Sequence, residues 1–145
     1  MARNKKKPSP GSSKWEKKPV ISGPGVSDTN RFQWTTQYAV CEGSWGWHHI
    51  DIAVLLKAVL PKLNELETMT WEQVCRAGSH PVDKQPLPQE AARYVAEHHA
   101  DFVGEAPFSL RLRGAWRVVG YRTGNVLVVL WWDPEHRMFP WGGRK

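Results

Sequence analysis

The sequence predicts an α+β fold, and three observations carry that prediction. The last third of the chain reads as three strands separated by short turns, an antiparallel β-meander. The middle places apolar residues at three- and four-residue steps, the spacing of amphipathic helices. Ahead of the helices, RFQWTTQYAV (31–40) is aromatic, Thr-rich and roughly alternating, as a strand is. The expected order is an N-terminal strand, two to three helices, then a C-terminal meander packed on them in two layers.

Residues 1–30 are Lys, Pro, Ser and Gly with few core formers. They cannot bury enough apolar area to offset the entropy of ordering, so a disordered basic tail is expected, with one α+β domain over 31–145. After the first strand, CEGSWGW reads as a glycine-bearing loop. A helix then starts at the N-cap Asp51 and presents Ile52, Leu55, Leu56, Val59, Leu63 and Leu66 as one stripe. Pro61 should kink or split it. In TMTWEQVCRAG, Thr70 and Gln73 are spaced for a capping box, so a short helix runs from Trp71 to Ala77 and stops at Gly78. SHPVDKQPLP reads as a loop. Pro88 suits the first turn of a further helix, about 88–99, with Ala92, Val95 and Ala96 inward.

The meander follows. In FSLRLRG, Phe108, Leu110 and Leu112 share one face while Ser109, Arg111 and Arg113 share the other. AWRVVGYRT is the second strand and NVLVVLWWD the third, joined at Thr123-Gly124-Asn125. The third is aliphatic from 126 to 130, as an interior strand covered on both faces would be.

Composition narrows the classes. The length suits one domain, and 41% hydrophobic residues are enough for a core. No eighteen-residue apolar stretch and no signal-peptide h-region occur, and two cysteines are too few for a disulfide framework. A cytoplasmic protein with reduced thiols is expected. Residues 1–31 hold eight Lys/Arg and two acids, which accounts for the whole net charge of +6. Such a tail can hold nucleic acid by charge alone. Residues 111–145 are again basic, with seven Lys/Arg, six of them Arg, against two acids. Arginine makes forked, planar contacts to phosphate.

An apolar sheet face on helices, backed by an Arg-lined face, is a place for a phosphodiester. Arg111 and Arg113 project from the first meander strand, and Arg117 and Arg122 lie near opposite ends of the second. Asp133, Glu135, His136 and Arg137 follow the third. Cleaving RNA needs a base for the 2′-hydroxyl, positive charge for the phosphorane and an acid for the 5′-oxygen. Glu135 or His136 can take the proton, the arginines can supply charge, and His136 can return a proton. Tyr121 and Trp131 or Trp132 can stack on bases. Of the nine tryptophans, Trp34, Trp45, Trp47 and Trp116 are expected in the core. Trp131 and Trp132 should face opposite ways, one on the helices and one on the site face, with Trp141 as a lid. Asp133-Pro134 also suits a plain β-turn in which Asp133 accepts backbone amides. No CxxC or HExxH occurs, and His48-His49 and His98-His99 are adjacent pairs, so no metal and no cofactor are expected.

The stretch FSLRLRGAWRVVGYRTGNVLVVLWWDPEHRMFP resembles the C-terminal meander of the RelE/YoeB/HigB toxin superfamily. Its core, RVVGYRTGNVLVVLWWDPEHRMFP, is also similar to bacterial and phage proteins of an RV-x-G…LWxDPxH type. The resemblance implies a small ribonuclease, often acting on ribosome-bound mRNA and neutralised by an antitoxin. It aligns Arg117 with the second-strand arginine of the family, and His136 and Phe139 with its terminal His and aromatic. The basic tail has no counterpart there, and the ParE branch shares the fold without cutting RNA. The expected function is a metal-independent, RNA-directed endoribonuclease with His136, Glu135, Arg117 and Arg122 as catalytic residues. Arg111, Arg113, Arg137, Tyr121 and Trp131 would bind RNA. The alternative is a non-catalytic module that uses the same sheet to hold a protein or nucleic-acid partner.

Overall fold

The computed structural model describes residues 27–140; the expectations for residues 1–26 and for Trp141 lie outside the described residues. Within them the α+β class holds. A five-stranded sheet has the order β1-β5-β4-β3-β2, from β1 (Gln33–Thr35), β2 (His80–Pro81), β3 (Phe108–Arg113), β4 (Trp116–Thr123) and β5 (Val126–Asp133). β3, β4 and β5 form the expected antiparallel meander, whereas β1 joins β5 in parallel. The first strand is shorter than the 31–40 stretch, because the chain turns away after Thr35.

The ordered domain also begins earlier than residue 31. Trp71 and Glu72 donate their amides to Asn30 O and Asp28 O, and the Asp28 carboxylate pairs with Arg122 at 2.9 Å. These contacts tie residues 28–30 to the start of helix α2 (Trp71–Arg76), whose Thr70–Gln73 capping box forms as expected.

Pro61 neither splits nor ends helix α1 (residues 52–66). The turn before it, Leu55–Val59, is π-helical, and a regular α-helix continues over Leu60–Leu66. Proline offers no amide and crowds the carbonyl four residues back, and a wider turn relieves that crowding. The wide turn lags behind an α-helix in rotation. Val59, Leu63 and Leu66 are therefore buried, while Ile52 and Leu56 leave the expected stripe and are 64% and 57% exposed. In α3 (Gln89–His98), Ala91 and Val95 face inward; Ala92 and Ala96 are exposed, one residue out of phase with expectation.

Two layers become three. On one face, Val59, Leu63, Leu66, Trp71 and Val74 of α1 and α2 cover Leu110, Val118, Leu127, Val129 and Trp132. On the other, Ala91 and Val95 of α3, with Phe102, Met138 and Phe139, cover Val119, Tyr121, Val128, Leu130 and Trp131. The open Arg-lined face expected from the sequence is thus largely closed. β4 and β5 are apolar at both parities, so each face needs a cover.

One irregularity decides which way β5 points its end. Val119 pairs with Trp131 and Gly120 with Val129, so Leu130 is an extra, bulged residue. Leu130 and Trp131 consequently pack on the same face, and the alternation resumes with Trp132 on the other. A Cβ at Gly120 would overlap the Val128 carbonyl oxygen, so only glycine fits opposite the bulge. We expect Gly120→Ala to cost about 2–3 kcal/mol or more by overpacking, seen as a lower urea midpoint at unchanged m-value. A midpoint equal to wild type would show that the strands absorb the methyl group.

Candidate functional site

Beyond α3, at the end where β4 begins and β5 finishes, three charged residues share one row. Arg111 pairs with Arg117, and Arg117 pairs with Asp133. Residues paired across a sheet project from the same face, and two like charges set directly opposite one another destabilise it. The row lies on the face of Val119, because the Leu130 bulge brings Asp133 there.

Asp133 is buried and forms no ion pair with the arginines among the described residues. Its Oδ1 accepts the Arg137 amide at 2.8 Å and its Oδ2 the Met138 amide at 2.9 Å. The Asp133-Pro134 turn is therefore an amide-capping device, as the turn reading anticipated. The cap closes the chain over the row and seats Met138 and Phe139 in the core. It also holds His136 at φ 59°, a left-handed conformation uncommon outside glycine, which histidine, asparagine and aspartate enter more readily than other residues do.

Arg117 is half-buried. Its Nη1 donates to Gly114 O at 2.7 Å and to Trp116 O at 3.1 Å. These bonds fix the guanidinium on the β3–β4 turn and leave Nε and Nη2 without acceptors among the described residues. Burial and the charge of Arg111 hold it below the ordinary guanidinium value, against Asp133. Arg111 is exposed. Its amide donates to Ser79 Oγ at 2.8 Å, and its side chain lies over Gly78, where a Cβ would sit 3.1 Å from Nη1. Among the described residues it has no acidic partner.

His136 closes the group. Burial first, then Arg117, press its pKa below the ordinary histidine value; Asp133 pulls the other way and His80 adds to the lowering. His136 lines a small pocket of about 220 Å³ with His80, Lys84 and Ser109. β2 brings His80 there by pairing it with Ser109.

The other expected site residues lie elsewhere. Arg122 is on the opposite face, where its guanidinium sits 4.0 Å from the Trp71 ring centre and bonds to Asp28 and Gly124 O. Its parity differs from that of Arg117, so the two cannot meet. Glu135 pairs with Arg137 at 2.9 Å and lines a separate depression with Trp45 and His49. The left-handed turn at His136 separates it from its neighbours on either side. Arg113 lies over Trp116, 4.7 Å from the ring centre, after an irregularity at Leu112. Trp116 in turn packs edge-on against Trp132. Tyr121 is buried and stacked on Phe102 at 4.4 Å, and burial pushes its phenol up to about 12. Trp131 and Trp132 are both buried, on opposite faces, so neither is free to stack on a base.

His80 and Lys84 went unrecognised in the sequence. They lie in what read as a Pro-rich loop, and the two-residue β2 is too short to leave a periodic signal. Comparison with known families, curated proteins and solved structures yields no match. No helix among the described residues is long and apolar enough to cross a membrane.

Two expectations follow from the electrostatics. Burial lowers His99 as well as His136, so the unfolded chain takes up these protons first as pH falls. Their contribution is full above the ordinary histidine value of about 6.5 and is lost as pH falls through the folded values. The urea midpoint should therefore drop from about pH 7.5 to about pH 5, and less steeply in His136→Asn and His99→Gln. Equal slopes in all three proteins would contradict the assignment. Asp133→Asn should cost about 2 kcal/mol and move the His136 titration further down, read by imidazole proton NMR. An unmoved or rising His136 titration would show that Asp133 does not act on it.

Proposed function

We propose that the protein is an RNA-directed, toxin-like endoribonuclease that works without a metal, with a RelE-like arrangement of helices and meander. The observation that carries the reading is the pair Arg111 and Arg117, set opposite each other with His136 beside them and their one acidic neighbour engaged by backbone amides. A phosphodiester bound at these two arginines would offset their like charge and take the Arg117 donors that have no acceptor among the described residues. The same two cations oppose the charge that grows on the phosphorane. His136, whose ring feels the charge of Arg117, would return a proton to the departing 5′-oxygen. Because both sheet faces are covered among the described residues, RNA would meet these arginines at the rim, which favours a single strand over a duplex. A neutralising antitoxin, on this reading, is a protein that covers the rim, and ribosome-bound mRNA is the substrate that the resemblance suggests.

One observation favours the alternative of a non-catalytic binding module. Glu135 pairs with Arg137 and does not line the pocket of His136, so that pocket lacks the carboxylate base first expected there. The two readings separate in one assay. End-labelled RNA incubated with the protein and EDTA should be cut, and Arg117→Ala and His136→Ala should each lose about 100-fold or more of the rate. Arg122→Ala should keep the rate and lose stability, since its guanidinium bridges Asp28, Gly124 and Trp71. Full cleavage by both Arg117→Ala and His136→Ala would remove the site. Tight RNA binding with no cleavage by wild type would select the binding module.

A further inference from the structure

The hollow holds a second imidazole, and it answers the loss of Glu135. His80 lies on the edge strand β2, paired with Ser109, and lines the same pocket as His136. Its Nδ1 is 2.9 Å from Pro81 O. A carbonyl oxygen only accepts, so Nδ1 carries the hydrogen, and in the neutral ring Nε2 is left with a lone pair. The tautomer is thus set by the backbone, with the basic nitrogen at the far side of the ring. His80 is exposed, so the ring is accessible to a substrate.

We propose that His80 is the second proton-transfer group of this site, acting as the base opposite His136. The proposal rests on the ribonuclease reading above. His80 Nε2 takes the proton of the 2′-hydroxyl as the 2′-oxygen forms its bond to phosphorus. The phosphorus–5′-oxygen bond breaks, and protonated His136 gives its proton to that oxygen. One imidazole gains a proton and the other loses one, and the products are a 2′,3′-cyclic phosphate and a 5′-hydroxyl. Arg111 and Arg117 hold the non-bridging oxygens. Lys84, from the loop after β2, lines the pocket with the two histidines, and so does Asp83.

His136 senses the charge of His80 as well as that of Arg117, which sets the two rings in one electrostatic neighbourhood as well as in one pocket. Lys84 and Asp83 are the other charged groups lining the pocket, and Arg117 and Asp133 act on His136 from the neighbouring row.

The test uses the full chain and a DNA oligonucleotide that carries one ribonucleotide, with the all-deoxy oligonucleotide as a non-cleavable ligand. Wild type should show a bell-shaped pH–rate profile. His80→Ala should lose about 100-fold in rate and the acid limb of the profile, since that limb reports the base. It should bind the all-deoxy oligonucleotide within about twofold of wild type and keep its urea midpoint. His80→Gln should behave as His80→Ala does, which sets aside a role in shape alone. If wild type cleaves and His80→Ala keeps both limbs and most of the rate, His80 is not the base and the ribonuclease reading stands. If His80→Ala loses affinity for the deoxy ligand and cleaves normally at saturation, His80 is a binding residue and the proposal fails. If wild type cleaves no RNA, both readings fall together.

Discussion

One extra residue in β5 governs how this protein presents its polar groups. Side chains alternate along a strand, so a single inserted residue transfers everything beyond it to the other face. Leu130 is that residue, and Gly120 makes room for it. Without the bulge, Asp133 would fall with Leu127 and Val129, under α1. With it, Asp133 lies in the row of Arg111 and Arg117. The turn that Asp133 caps then carries His136 back to the same row. The sheet is locked in this register from both sides, by apolar cores that tolerate no slip.

The hollow that results is built against stability. Two arginines occupy directly opposed strand positions, a histidine near them is held below its ordinary pKa, and its backbone is left-handed. Each feature costs free energy in the folded protein, and such costs concentrate where a ligand relieves them. Elsewhere the chain handles its charges more conventionally. Arg122 meets Asp28 and the Trp71 ring, Glu135 meets Arg137, and Glu72 meets Arg76. The contrast between matched pairs on the flanks and mismatched cations at the rim is what separates the site from ordinary surface arginine.

Much of this was legible in the residues, and the gaps have physical causes. The strict alternation of FSLRLR placed Arg111 on one face, and the strand after it placed Arg117 beside the same turn. The DPEH segment announced both a turn and a histidine. Parity alone also puts Arg117 and Arg122 on opposite faces, once β4 is taken as a continuous strand. The displacement of Glu135 was not legible, because it depends on the left-handed backbone at His136. Tyr121 and Trp131 were assigned to a wet face that α3, Phe102 and Phe139 in fact cover. His80 gave no signal, since its strand is two residues long and exists only through pairing with Ser109.

The α+β class, the capping box of α2, the meander and its turn, and the concentration of arginine in its strands are all written in the order of the residues. These follow from short-range chemistry: periodicity, caps and glycine at turns. The face that each charged group occupies, and what it meets there, came from the packing of the layers. The π-turn before Pro61, the bulge at Leu130 and the cover of α3 over the second sheet face are each fixed by packing between segments distant in the chain. A side chain's neighbours depend on that packing, so the chemistry of the rim emerged only when the layers were assembled.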